Sequence, residues 1–268
     1  MVVTQRATRP CLRLAVLRVE RLTPHMIRIV AGGPEIDGFM PNGCTDAYVK
    51  VLLPVPGVTY PEPFDTQVIK ATMPREHWPR MRSYTVRSYD EAKGELTLDF
   101  VVHGDEGLAG PWAMRARPGD DLLISGPGGA YSPGEEADWH LLAGDESALP
   151  AISATLEAMS PAMVVRAFVL VQDETEQLPL STRAVDSRIV WLHRSSGDDL
   201  EKAVRDLEFP EGLLQAFVHG EAGFVRELRK YLLGERGMRK DLLSISGYWR
   251  RGATDEEWRI QKAAEKNA

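Results

Sequence analysis

The sequence predicts two joined units, an N-terminal six-stranded antiparallel β-barrel and a C-terminal open parallel α/β sheet. Three observations predict it. Six strand-like runs, punctuated by Gly, Pro, Asn and Asp turns, fill the chain from Leu12 to about Gly126. From Trp139 the runs become nearly continuously apolar and alternate with helical patterns, as strands covered on both faces do. Between the two lies the turn-rich stretch GPGGAYSPGEEAD, residues 126–138. The expected units are residues 1–130 and residues 138–268, the second carrying a C-terminal extension.

The barrel strands are, in order, LRLAVLRVERL, MIRIVAGG, DAYVKVLLP, MRSYTVRSY, ELTLDFVVH and DDLLISGP. Their short lengths and regular turns suit a closed sheet without free edges. GLAGPWAMRA, before the last of them, reads as a short helix that stops ahead of Arg117-Pro118-Gly119-Asp120. In the second half WHLLAG, VVRAFVLV, RIVWLH, LLQAFVHG and LLSIS are the strands. SALPAISATLEAM, DLEKAVRDL and EAGFVRELRKYLL are helical, and TDEEWRIQKAAEK forms a terminal helix whose end, QKAAEKNA, is expected to fray.

The 268 residues are 43% hydrophobic and 26% charged, enough apolar material for two packed cores. A net charge of −7 argues against a bulk electrostatic grip on nucleic acid or anionic lipid. The apolar runs of the N-terminus are too short, and too interrupted by arginine, for a secretory signal or a membrane span, so a cytoplasmic protein without membrane insertion is expected. Cys11 and Cys44 form no CxxC pair and no metal-ligand cluster, which leaves any redox chemistry to a bound cofactor.

Three constellations carry candidate chemistry. In Arg82-Ser83-Tyr84-Thr85, strand alternation puts Arg82, Tyr84 and Val86 on one face and Ser83, Thr85 and Arg87 on the other. A guanidinium to fork a phosphate, an aromatic to lie against a planar ring and a hydroxyl to bond a ring nitrogen are the needs of a flavin nucleotide. An exposed strand with basic residues for solubility satisfies the same four letters. His103, Gly107, Ala109, Gly110, Pro111, Trp112 and Ala113 span a strand end and a helix start, where small residues let main-chain N–H groups approach a pyrophosphate. A glycine-rich turn that merely caps a helix reads identically. Gly144-Asp145-Glu146-Ser147 joins strand to helix at a carboxyl edge, where open α/β sheets hold nucleotides. Its carboxylates would accept from ribose hydroxyls or an amide, or simply favour the helix dipole.

Taken together and in order, NGCTDAYVKVLLP, MRSYTVR, HGDEGLAGPWA, PGDDLLISGPGG, LLAGDESALPAI, HGEAGFVRELRKYL and GYWRRG resemble the siderophore-interacting protein family, a branch of the ferredoxin–NADP reductase superfamily. The resemblance implies a cytoplasmic, monomeric FAD enzyme that reduces ferric siderophores with electrons from NAD(P)H or a reduced ferredoxin. It implies that Arg82, Ser83, Tyr84 and Thr85 bind the flavin, with Arg87 supporting them, and that the Gly107–Ala113 segment, near His103, cradles the pyrophosphate. Asp145, Glu146 and Ser147 would line the cleft near the nicotinamide. Arg194, with Arg183 as the weaker candidate, would meet an NADP phosphate, and Glu221 would contact the nucleotide. Tyr248 or Trp249 would lie against the flavin or anchor the terminal helix. Lys50, Arg250 and Arg251 would draw in the anionic ferric siderophore. A general NAD(P)H:flavin or quinone reductase and a non-catalytic flavin- or siderophore-binding module are the competing functions.

Overall fold

The computed structural model describes residues 11–102 and 107–267. His103 lies outside them. In the first half β1 (Cys11–Thr23), β2 (Met26–Gly32), β3 (Tyr48–Leu53), β4 (Arg80–Asp90), β5 (Glu95–Val101) and β6 (Asp121–Gly128) close a barrel in the order β1-β2-β5-β4-β3-β6, with every neighbouring pair antiparallel. Alternation builds the interior. Leu14, Ile29, Val49, Leu96, Leu98, Phe100, Leu122 and Ile124 point inward and are buried, each worth about 1.5–3 kcal/mol of burial. Helix α2 (Ala109–Arg115) plugs one end of the barrel, with Ala109 and Ala113 in its core.

The second half is a five-stranded parallel sheet, in the order β11-β10-β7-β8-β9. Its strands are β7 (Trp139–Asp145), β8 (Val164–Val171), β9 (Asp186–His193), β10 (Leu214–Glu221) and β11 (Leu243–Trp249). All seven residues of β7, the middle strand, are buried, because helices cover both faces. α3 (Leu149–Ala158) packs on the face presenting Leu142, Val165 and Phe217. α4 (Leu200–Arg205) and α5 (Ala222–Lys230) pack on the face presenting Leu141, Ala143 and Val218.

Three features add detail to the expected elements. A helix, α1 (Thr66–Thr72), interrupts the long β3–β4 connection, begun by Asp65, whose carboxylate accepts from the Gln67 N–H at 2.7 Å. β6 runs through Gly128, so Gly126 to Gly128 of the turn-rich stretch belong to the barrel. The terminal helix α6 covers Asp255–Asn267. It is held by buried Trp258 and by Lys262, whose ammonium donates to Ser246 Oγ at 2.8 Å and to the Gly247 carbonyl at 2.6 Å.

The two units are fastened to each other by specific contacts. Glu176, buried in a single helical turn after β8, accepts from Thr23 Oγ1 at 2.5 Å and from the His25 main chain at 3.3 Å. Its other oxygen meets His25 Nδ1 at 2.5 Å. On α3, Thr155 Oγ1 donates to Thr45 Oγ1 at 2.8 Å. Met26 of the barrel is buried in the sheet's own hydrophobic cluster.

Candidate functional site

The candidate site lies where the β3–β4 wall of the barrel faces the carboxyl edge of the parallel sheet. Pairing of Val49 with Tyr84 and of Val51 with Arg82 turns Arg82 and Tyr84 toward the barrel interior. Tyr84 packs on Phe100 with ring centroids 4.1 Å apart, and Phe100 in turn packs on Trp112 at 5.5 Å. The face read from the sequence as a ligand platform is therefore partly core. Arg82 stays at its rim, only 13% exposed, donating to the Met81 carbonyl at 3.0 Å and meeting Glu256 of α6 at 3.4 Å.

The outward face of the same wall holds Tyr48, Lys50, Ser83 and Thr85. Lys50 Nζ donates to Ser83 Oγ at 2.5 Å and stands 4.9 Å over the Tyr48 ring. Sequence reasoning missed Tyr48, whose ring lies across Gly128. A β-carbon added to that glycine would come within 2.5 Å of the ring. The signal was available in the GPGG run, whose second glycine lets an aromatic lie flat on the strand. Asp46, also missed, shapes this edge by accepting from the main-chain N–H groups of Ala130 and Tyr131, both at 2.8 Å.

Several residues expected near the flavin have partners within the protein. The Arg87 guanidinium is engaged by both oxygens of Glu157 on α3, at 2.8 and 2.5 Å. It fastens barrel to sheet. Ala109, Pro111 and Ala113 are buried against the barrel, which leaves main chain at Gly107, Leu108 and Gly110 for any ligand. Gly107 takes a φ of 78°, a left-handed conformation that favours glycine. Trp112 borders a ≈ 340 Å³ cavity that Arg13, Leu53, Tyr60 and Phe64 also line.

Across the cleft, Asp145 is fully buried and all its partners are internal. One oxygen accepts from the Ser147 N–H at 2.9 Å and from Ser147 Oγ at 2.5 Å; the other accepts from the Glu221 N–H and from Trp249 Nε1, both at 2.8 Å. The carboxylate expected in the cleft instead ties together the ends of β7, β10 and β11. Burial, and next the charge of Glu146, push its pKa up to about 6. Ser147 is likewise turned inward, toward Asp145. Glu221 begins α5, accepting from the Gly223 N–H at 2.5 Å, and takes the Arg251 N–H at 3.2 Å.

Trp249 is thus an anchor, whereas Tyr248 is 36% exposed with its ring 5.0 Å from His219. Burial, and then the charge of Lys262, lower the pKa of His219 to about 3, so this ring is neutral at physiological pH. Arg250 reaches Gln261 on α6 at 3.2 Å, and with Arg251 it lines an open groove of ≈ 460 Å³. Arg194 pairs with Glu146, and Arg183 is exposed on the β8–β9 connection. Among the described residues no group of His, Cys, Asp and Glu is placed to hold a metal, and no helix is long and apolar enough to cross a membrane.

A closed antiparallel barrel joined to a parallel sheet is the two-domain fold also seen in the ferredoxin–NADP+ reductase from Plasmodium falciparum, which superposes with a TM-score of 0.64 at 11% identity, covering 89% of this chain and 96% of that one. Within that fold class the chain belongs to the siderophore-interacting protein family. Residues 15–131 match the siderophore-interacting FAD-binding domain, and residues 137–252 match the siderophore-interacting protein domain. Ferric vibriobactin reductase ViuB of Vibrio cholerae is 34% identical over 251 residues, 92% of each chain. The NADPH-dependent ferric-chelate reductase of Escherichia coli is 35% identical over 229 residues, 83% of this chain and 87% of that one. The crystal structure of a siderophore utilization protein from T. fusca superposes with a TM-score of 0.79 at 35% identity, covering 94% of this chain and 97% of that one.

Proposed function

We propose that this protein binds FAD at the barrel rim and uses it to reduce ferric siderophores, drawing electrons from NAD(P)H. The observation that carries the reading is the rim itself. Arg82 stands at the rim on the inner face of the β3–β4 wall, and Lys50, Ser83, the Tyr48 ring and the buried Thr85 lie on its other face. The rim residues suit the group chemically: a forked cation for phosphate, hydroxyls for ring heteroatoms, and an exposed aromatic for a planar ring.

In this reading Arg82 holds the flavin phosphate, Thr85 meets the polar edge of the ring, and Tyr84 braces the wall from inside through Phe100. The Gly107–Gly110 main chain receives the pyrophosphate. Tyr248, fixed by the Trp249–Asp145 bond next to it, closes the ring site from the sheet side and limits water there. Lys50, Arg250 and Arg251 form a cationic entrance for an anionic iron chelate on a protein of net charge −7. Bound FAD supplies the conversion of a two-electron hydride donor into one-electron reduction of iron. Oxygen-rich chelators hold Fe(III) far better than Fe(II), so reduction releases the metal.

Arg82→Ala tests the reading directly. Loss of a charge-assisted contact, typically about 1.5–3 kcal/mol, weakens FAD binding about tenfold or more. Fluorescence titration of the flavin-free protein measures it, and unchanged affinity refutes the assignment. Anaerobic bleaching of the holoprotein by NADPH or NADH, followed by Fe(II) capture from a ferric siderophore, tests donor and acceptor.

A further inference from the structure

Glu146 and Arg194 form a pair whose position gives it a use beyond stability. Glu146 follows β7 and Arg194 follows β9, while β8 runs between them. The two side chains therefore meet over the end of β8, spanning two strand spacings of about 4.8 Å each. Arg194 donates through Nη1 at 3.2 Å and through Nη2 at 2.7 Å to the two carboxylate oxygens. Both side chains are mostly enclosed, 18% and 15% exposed, so water screens the pair weakly. Its fork is the geometry that also grips a phosphate.

The backbone at both ends is held without the pair. Ser195 N–H donates to the Gln172 carbonyl at 3.0 Å, and Gly197 N–H donates to the Arg194 carbonyl at 3.0 Å. At the other end the Asp145–Ser147 turn is closed by the Ser147 N–H at 2.9 Å. Arg194 is thus able to exchange one anion for another without unravelling the edge. An incoming phosphate must displace Glu146 from the guanidinium and then stand beside its carboxylate, with the buried Asp145 a further acidic group close by.

We propose that Glu146 is a specificity-determining residue of the dinucleotide site: by occupying Arg194 it lowers the preference for a 2′-phosphorylated dinucleotide over its unphosphorylated counterpart. The inference rests on the reading of the sheet edge as a dinucleotide site. Glu146→Gln keeps the shape and removes the charge.

Isothermal titration of the FAD-loaded protein with adenosine 2′,5′-bisphosphate and with 5′-AMP reads the effect as a ratio of affinities. Glu146→Gln is expected to tighten the bisphosphate about tenfold while moving 5′-AMP by no more than about twofold. Adding Arg194→Ala to that variant is expected to abolish the gain. Retained 5′-AMP binding with an unchanged ratio overturns the role of Glu146 alone. A gain that survives Arg194→Ala also overturns it. Failure of both nucleotides to bind any folded, yellow variant overturns the dinucleotide reading beneath it, and the proposal with it.

Discussion

Replacing Asp145 by asparagine removes a charge buried beneath the C-terminal turn while keeping its size. The native carboxyl is fully buried among four internal donors. Burial first, and Glu146 second, raise its pKa from the ordinary 3.8 to about 6, against the opposing pull of Ser147, Trp249 and Arg194. Between those two values the folded protein keeps a proton that the unfolded chain has released. The contribution of this group to stability therefore falls as pH rises through that window and is largest in acid. At about 1.36 kcal/mol per pH unit the whole span is worth about 3 kcal/mol, of which about 2 kcal/mol is present near pH 4.5. Asparagine does not titrate. Urea unfolding of both proteins with FAD in excess, from about pH 7.5 to about pH 4.5, is expected to show the stability lead of the native protein widening toward acid by about 2 kcal/mol. A constant gap refutes the buried charge, and a gap that narrows toward acid means that the carboxylate form stabilises the fold.

Glu176→Ala removes the acceptor of the buried Thr23 hydroxyl and one partner of the half-exposed His25, and is expected to cost about 1–3 kcal/mol, most of it at Thr23. A shift in urea midpoint equivalent to less than about 0.5 kcal/mol defeats that view of the contact. Gly128→Ala places a methyl group within 2.5 Å of the Tyr48 ring. Because the clashing atoms lie at the far end of a Tyr48 side chain that is 36% exposed, stability is expected to change by less than about 1 kcal/mol. FAD affinity, by contrast, is expected to fall and the flavin absorbance bands to shift; a variant with unaltered flavin spectrum and affinity removes Tyr48 from the site.

The two-part architecture was legible in the sequence because it rests on local periodicity. Alternation over Leu12–Val16 and the solid apolar run of β7 reflect how many faces each strand must bury, and neighbouring residues suffice to show that. The rim motif was legible as a set of residue types. Its orientation was not, because a strand's own pattern does not say which face a closed barrel turns inward; pairing with Val49 and Val51 decided that for Tyr84 and Arg82.

By itself, then, the sequence determined the order of the barrel and sheet strands and offered candidate residues for a flavin and a nucleotide. Tertiary structure alone decided which of their charges are already engaged. Arg87 is taken by Glu157, 70 residues away, and Arg194 by Glu146, 48 residues away. Asp145 is closed around by Glu221 and by Trp249, 104 residues distant. Ion pairs and buried acceptors depend on distances of a few ångströms between segments brought together only when barrel and sheet pack, and no spacing along the chain records those distances.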